Sequence, residues 1–195
     1  MAYCHKREDL SRLQRSEELR GALKSSGRNL GDLTLDVGCG KGYVFNLLNK
    51  LGRQAVGLDI KPGFVRGMVQ RGLHGVIADG RELPFRSSTF DKVMCFEVVE
   101  HVNNPEHVFK EIHRVLREGG LSILRAPIAS PINVMVDLIR GEKTRVSEMS
   151  LTALLLVLRK YSNRLHYKPV LVLPIPQLLF GKYFWFETDF LANYM

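Results

Sequence analysis

The sequence predicts an α/β fold, a doubly wound and mostly parallel sheet in three layers with helices on both faces. Three observations predict it. Thr34–Gly42 reads T-L-D-V-G-C-G-K-G, a short apolar run holding one acid, then glycine at every second position. Runs of strand length follow at Gln54–Ile60, Gly75–Gly80, Phe90–Val99 and Leu121–Ala126. Between most of them the apolar residues recur at three and four, the period of a helix. Such alternation returns the chain to a parallel strand each time and winds a sheet with crossovers.

The first strand is apolar on either side of Asp36, as a buried strand should be. Gly38, Gly40 and Gly42 cannot continue it; they mark a tight turn whose backbone comes close to something. Tyr43, Val44, Leu47, Leu48 and Leu51 then repeat as one face of a helix. Strand, glycine turn and helix form the first unit of a nucleotide-binding α/β fold. The second strand ends at Asp59, and Pro62 suits the first turn of the next helix. Asp59 stands roughly twenty residues past the glycines, where dinucleotide-type folds carry an acid that accepts from ribose hydroxyls. The third strand ends at Asp79, placed to accept from the exocyclic amine of a base.

Pro84 and the Ser87-Ser88-Thr89 cluster make the next stretch a loop. The fourth strand, Phe90–Val99, is near-continuously apolar in its middle, as a central parallel strand is, and runs into Glu97, Glu100 and His101. Asn104-Pro105 starts a helix with Val108, Ile112, Val115 and Leu116 on one face, and Gly119-Gly120 is expected to end it. Pro127 closes the fifth strand.

Outside this core the signals weaken. Residues 1–29 form an N-terminal arm, with Leu10, Leu13, Leu19 and Leu23 marking an amphipathic helix over 8–26. Residues 30–127 are the expected core, and 128–195 a C-terminal segment completing the sheet or the acceptor site. Helices are expected at Ile132–Ile139 and Leu151–Leu158, and a last strand at Tyr183–Phe186. Pro174 and Pro176 argue against a central strand or regular helix around them. The apolar stretch 169–186 suits peripheral membrane contact or the cover of an apolar pocket; burial in the core is the simpler account.

A hydrophobic fraction of 45% over 195 residues is enough for one full core. The formal charge of +8 permits attraction to nucleic acid, anionic lipid or an acidic substrate without choosing among them. Cys4, Cys39 and Cys95 make neither a metal nor a disulfide pattern, so no metal is expected and a reducing, cytoplasmic setting is. The start of the chain has no signal-like apolar stretch, and no stretch reads as a membrane span.

Taken together, L-D-V-G-C-G-K-G, G-L-D-I, A-D-G-R-E-L-P-F, S-T-F-D-K-V-M-C-F-E-V-V-E-H-V and E-I-H-R-V-L-R-E-G-G-L resemble the successive motifs of class I S-adenosylmethionine-dependent methyltransferases. The subgroup is type 11, similar to the ubiquinone and menaquinone biosynthesis methyltransferases. The resemblance covers roughly residues 30–127 and implies a Rossmann-like fold and S-adenosyl-L-methionine as cofactor. It implies that Gly38, Gly40 and Gly42 let backbone approach the amino-acid part, and that Asp36 orients that loop or meets the ammonium. Asp59 would bind the ribose hydroxyls with Ile60 beside the adenine. Asp79 would face the adenine amine next to Gly80, and Phe96 and Glu97 would touch the methionyl part. His101 matches a histidine near the acceptor, and packing for structure explains it equally well.

Such chemistry chiefly needs acceptor, carbon and sulfur held in line. A general base matters only if the acceptor must lose a proton, so its absence would not count against the reading. The acceptor is expected to be a small molecule or lipid; nucleic acid is permitted by charge but no RNA-binding motif is present. Two other readings compete. A nicotinamide dehydrogenase would carry G-x-G-x-x-G, but Tyr43 stands at the third position with Gly42 one place early. A non-catalytic cofactor-binding scaffold would keep the same binding positions without turnover.

Overall fold

A computed structural model describes residues 33–127, 151–161, 164–170 and 187–193. The arm 1–29, the expected helix Ile132–Ile139 and the expected strand Tyr183–Phe186 lie outside the described residues, as do Pro174 and Pro176.

In chain order the elements are β1 (Thr34–Val37), α1 (Tyr43–Lys50), β2 (Ala55–Asp59), α2 (Pro62–Val69), β3 (Gly75–Ile77), β4 (Phe90–Phe96), a 3-10 turn (Val99–His101), α3 (Pro105–Val115), β5 (Leu116–Pro127), α4 (Leu151–Tyr161), β6 (Arg164–Val170) and β7 (Glu187–Asn193). They build one sheet in the order β3-β2-β1-β4-β5-β7-β6. The five strands from β3 to β5 run parallel. β7 runs antiparallel to both β5 and β6. The expected doubly wound, mostly parallel sheet is present, with its direction of winding reversing between β1 and β4.

Two apolar clusters make the three layers. On one side Val108, Phe109 and Ile112 of α3 and Leu154 and Leu158 of α4 pack against Leu35, Val37, Val93 and Cys95. On the other, Val44, Leu47 and Leu48 of α1 and Met68 of α2 pack against Met94, Leu121 and Ile123. Each fully buried aliphatic or aromatic side chain contributes about 1.5–3 kcal/mol. Alternate strand residues therefore serve opposite faces, which is why β4 is apolar almost throughout.

Three expected boundaries move. The third strand stops at Ile77 because Asp79 turns the chain, accepting the Arg81 N–H at 2.8 Å. The fourth stops at Phe96 because Glu97 has φ +55, a left-handed conformation that leaves the ladder. The helix from Pro105 does not continue to Gly119-Gly120. It ends at Val115, and Leu116 is already extended and paired with Phe90. The glycine pair serves the sheet instead: the register passes from Phe90–Leu116 to Lys92–Leu121, and Gly119, at φ +72, turns the extra residues out. Arg117, carried by that irregularity, pairs with Asp91 at 2.7 Å.

Candidate functional site

The parallel strands β1, β2, β3 and β4 end on one side, where the reversal of winding opens a crevice beyond their C-terminal tips. All the sequence-expected site residues fall on this side, on the tips themselves or in the segments just after them. The turn after β1 is built by its glycines, at φ +72, +50 and +74 for Gly38, Gly40 and Gly42. Side-chain-bearing residues rarely take that conformation.

The three glycines have different surroundings. A Cβ on Gly38 would overlap Val98 Cγ2, and one on Gly42 would lie 3.0 Å from Met68 Cγ. Nothing lies within 4 Å of a Cβ on Gly40. Gly38 and Gly42 are thus required by packing, and of the three only Gly40 has open space where a side chain would begin. Gly38→Ala is expected to lower stability by about 2–4 kcal/mol from left-handed strain plus overpacking, seen as a lower thermal midpoint.

The loop's amides are turned inward. Gly38 and Cys39 both donate to the Leu58 carbonyl, at 2.8 and 2.9 Å, and Gly42 donates to the Cys39 carbonyl at 2.8 Å. Gly40 N–H donates to Asp59 Oδ2 at 2.9 Å, while Asp59 Oδ1 accepts the Lys61 N–H at 2.8 Å. Asp59 therefore latches the glycine turn to the start of α2. A carboxylate has about four acceptor sites, so two remain for hydroxyls. The sequence signals the acid but not this second task.

Asp36 lies deeper, 2% exposed, and its Oδ2 has no hydrogen-bond partner among the described residues. Burial first, and the Asp59 charge second, raise its pKa to about 8. At neutral pH it holds a proton until a cation meets it. The same surroundings push the thiols of Cys39 and Cys95 up, burial being the main cause in each. Neither is a nucleophile at neutral pH.

On the β2–β3 side, Ile60 and Ile77 are exposed, at 60% and 49%, next to Asp59 in the chain and opposite it in the ladder. Ile60, just past the strand tip, offers an apolar side chain suited to a flat base, whereas Ile77 shares the face of its ladder partner Asp59 on the edge strand. The sequence reading included Ile60. Asp79 itself is bound to Arg81, with Nη2–Oδ2 at 2.6 Å, and this hydrogen bond foremost holds its carboxyl below the usual range. Gly80 packs close to β1, where a Cβ would come 3.2 Å from Val37 Cγ1. Phe96 is half-buried against the α1 side, and Glu97 is exposed in its strained conformation. His101 is exposed in the 3-10 turn, with Nε2 4.0 Å from Oε1 of the buried Glu100. The structure thus gathers Asp36, the three glycines and Asp59 into one cluster, sets Ile60, Asp79 and Gly80 along one flank, and leaves His101 on the opposite rim.

These positions suit an adenosyl group that carries an ammonium: an orphaned buried carboxyl oxygen, a glycine with open space beside it, an acid on the second strand and an exposed isoleucine next to that acid. Among the described residues no group of His, Cys, Asp and Glu is arranged to hold a metal.

Residues 35–124, from β1 to β5, match the family model described as "Methyltransferase domain", type 11. That match takes in a little under half of the chain. The chain is 33% identical over 110 residues to a probable S-adenosylmethionine-dependent methyltransferase of Mycolicibacterium smegmatis, covering 55% of this chain and 41% of that protein. It is 33% identical over 120 residues to a ubiquinone biosynthesis O-methyltransferase of Xanthomonas oryzae, covering 54% of this chain and 48% of that one. The chain spans less than half the length of these two curated relatives. In fold it is similar to the magnesium protoporphyrin IX methyltransferase of Synechocystis, a structure with bound SAH, at a TM-score of 0.76 and 16% identity, over 100% of this chain and 88% of the other.

Proposed function

We propose that the chain is an S-adenosylmethionine-dependent methyltransferase acting on a small molecule or lipid. One observation carries the reading: the Asp59 carboxylate at the tip of β2 holds the Gly40 amide of the first crossover, so ribose acceptor and glycine turn form one unit at the reversal of the sheet. When bound, the cofactor supplies a methyl group already activated by its positive sulfur. The chain supplies the hold. Asp59 accepts from the ribose hydroxyls, Ile60 lies beside the adenine, and Asp79 with Gly80 meets its amine edge. Asp36 meets the ammonium, Gly40 gives clearance to the amino-acid part, and Phe96 and Glu97 border it. These contacts would hold the cofactor, whose activated methyl then needs chiefly an acceptor brought into line with it.

His101 stands on the acceptor rim and takes a proton there only if the acceptor must lose one. A small-molecule or lipid acceptor is supported by the relative named for ubiquinone biosynthesis and by the apolar stretch 169–186. Cys39 and Cys95, both buried and unbridged, suit a cytoplasmic location. No helix among the described residues is long and apolar enough to cross a membrane.

The test is calorimetric titration with the adenosyl sulfonium and with NAD, followed by turnover of methyl-labelled cofactor against quinol, lipid and RNA acceptors. Binding of the sulfonium alone, with label moving to a quinol or lipid, is expected. Binding without turnover on any acceptor would favour the scaffold reading, and preference for NAD would overturn the cofactor assignment. Asp59→Ala is expected to weaken cofactor binding by at least about 1.5–3 kcal/mol, the scale of hydrogen bonds to a charged group, because the Gly40 latch goes with the ribose contacts. Unchanged affinity in that variant would show that the acid has no part in binding.

A further inference from the structure

Glu111 and Arg114 lie one turn apart on α3, about thirty residues along the chain from Asp79 and Gly80. Their side chains form a closed pair, with Arg114 Nε on Glu111 Oε1 and Nη2 on Glu111 Oε2, each at 2.7 Å. The pair does not end on itself. Arg114 Nη2 also donates to the Leu83 carbonyl at 2.9 Å, and Nη1 to the Phe85 carbonyl at 2.7 Å. Glu111 Oε2 accepts the Leu83 N–H at 2.8 Å. One ion pair thus takes up both backbone groups of Leu83 and the next carbonyl but one.

This is the segment that leaves Asp79 and Gly80. Upstream, Glu82 N–H donates to the Asp79 carbonyl at 3.1 Å, so only a single turn separates Asp79 from the fastened Leu83. Downstream, Phe85 packs edge-on against Phe90 of β4 at 4.9 Å. Asp79 is half-exposed and its own side-chain partner, Arg81, belongs to the same turn. The turn's place relative to β1 and β2 is therefore set by its junction with β3 and by its anchor on α3. A loop fixed by the sheet at one end and by charge-assisted bonds at the other loses little freedom when a ligand docks on it.

We propose that Glu111 and Arg114 are positioning residues for adenine recognition: they hold the Asp79–Leu83 turn so that the Asp79 carboxylate meets the exocyclic amine. The proposal rests on the cofactor reading above and deepens it. Its signature is base discrimination, since a carboxylate accepts from an amine and repels the oxo group of hypoxanthine. Loosening the anchor lowers the preference for adenine over hypoxanthine, whereas a general loss of stability weakens both ligands alike.

The experiment is titration of the full chain with S-adenosylhomocysteine and S-inosylhomocysteine, for the wild type, Arg114→Lys and Glu111→Gln. Arg114→Lys keeps the charge but cannot span two carbonyls and a carboxylate. Glu111→Gln keeps the shape and weakens the hold on Leu83 N–H. The wild type is expected to prefer the adenosyl ligand by roughly tenfold or more, the scale of a hydrogen bond to a charged acceptor. Both variants are expected to lose most of that ratio while retaining a cooperative thermal transition. An intact ratio in folded variants would overturn the inference and leave the cofactor reading standing. A wild type that binds the two ligands equally would overturn the base-facing role of Asp79 and the inference with it. A wild type that binds neither would overturn the cofactor reading on which both depend.

Discussion

Gly40→Val is expected to give a folded protein that no longer binds the adenosyl cofactor. The two halves of that outcome have separate causes. The Cβ position at Gly40 has no neighbour within 4 Å, so a side chain there displaces nothing in the protein. The remaining penalty is the left-handed backbone at φ +50, about 1–2 kcal/mol for an L-residue, and somewhat more for a β-branched one. A domain with 5–15 kcal/mol of stability survives that. The open space is the clearance assigned to the cofactor's amino-acid part, and valine fills it. Thermal unfolding checks the first half and calorimetric titration the second. Full binding by the variant would show that the turn is not the cradle. The contrast with Gly38→Ala, where a smaller addition meets Val98 and costs stability, makes the pair diagnostic: one substitution acts on the ligand, the other on the protein.

Asp36→Asn is expected to remove a downward slope of stability between about pH 5 and 8. The folded pKa of about 8 lies above the ordinary carboxylate value of 3.8, so between the two the native state holds a proton that the unfolded state has released. Stability then falls as pH rises through this window, by up to several kcal/mol in all, and levels off above the folded value. Below the unfolded value both states are protonated and the contribution is constant. Asp79 and Glu111 act in the opposite sense, since hydrogen bonds from Arg81 and Arg114 hold them low. Their stabilisation is lost as pH falls below about 4.5, outside the window. Urea midpoints at pH 5, 6.5 and 8 test the claim, because the difference between wild type and variant cancels every other titrating group. Parallel curves would show that Asp36 is not the buried proton carrier. In the liganded protein the same reasoning expects a proton to leave as the ammonium arrives, measurable as a buffer-dependent binding enthalpy.

Much of the core was legible because its signals are local. Glycine at every second position admits few structures, and an acid about twenty residues on has a known place at a strand tip. Phe90–Phe96 announces a central strand by having no polar face. The division of labour among the glycines was not legible, because it depends on Val98 and Met68, distant in sequence and adjacent in space. The latch from Asp59 to Gly40 and the anchor from Arg114 to Leu83 share that character: each joins residues well separated in the chain. Gly119-Gly120 misled for a different reason. Glycine after an apolar helical face ordinarily ends the helix, yet here Leu116 could gain a ladder partner in Phe90 by leaving the helix early. β6 carried a readable alternation in R-L-H-Y-K-P-V, obscured by its proline, whereas E-T-D-F-L-A-N has almost no strand pattern of its own. Its place comes from pairing on both sides.

That double pairing orders the chain's assembly. β7 sits between β5 and β6 but is made after both, so residues 164–170 have no strand to join until 187–193 emerge. At synthesis rates of about 5–20 residues per second, the strand that pairs with the outer flank of β5 is made roughly three to twelve seconds after β5 itself.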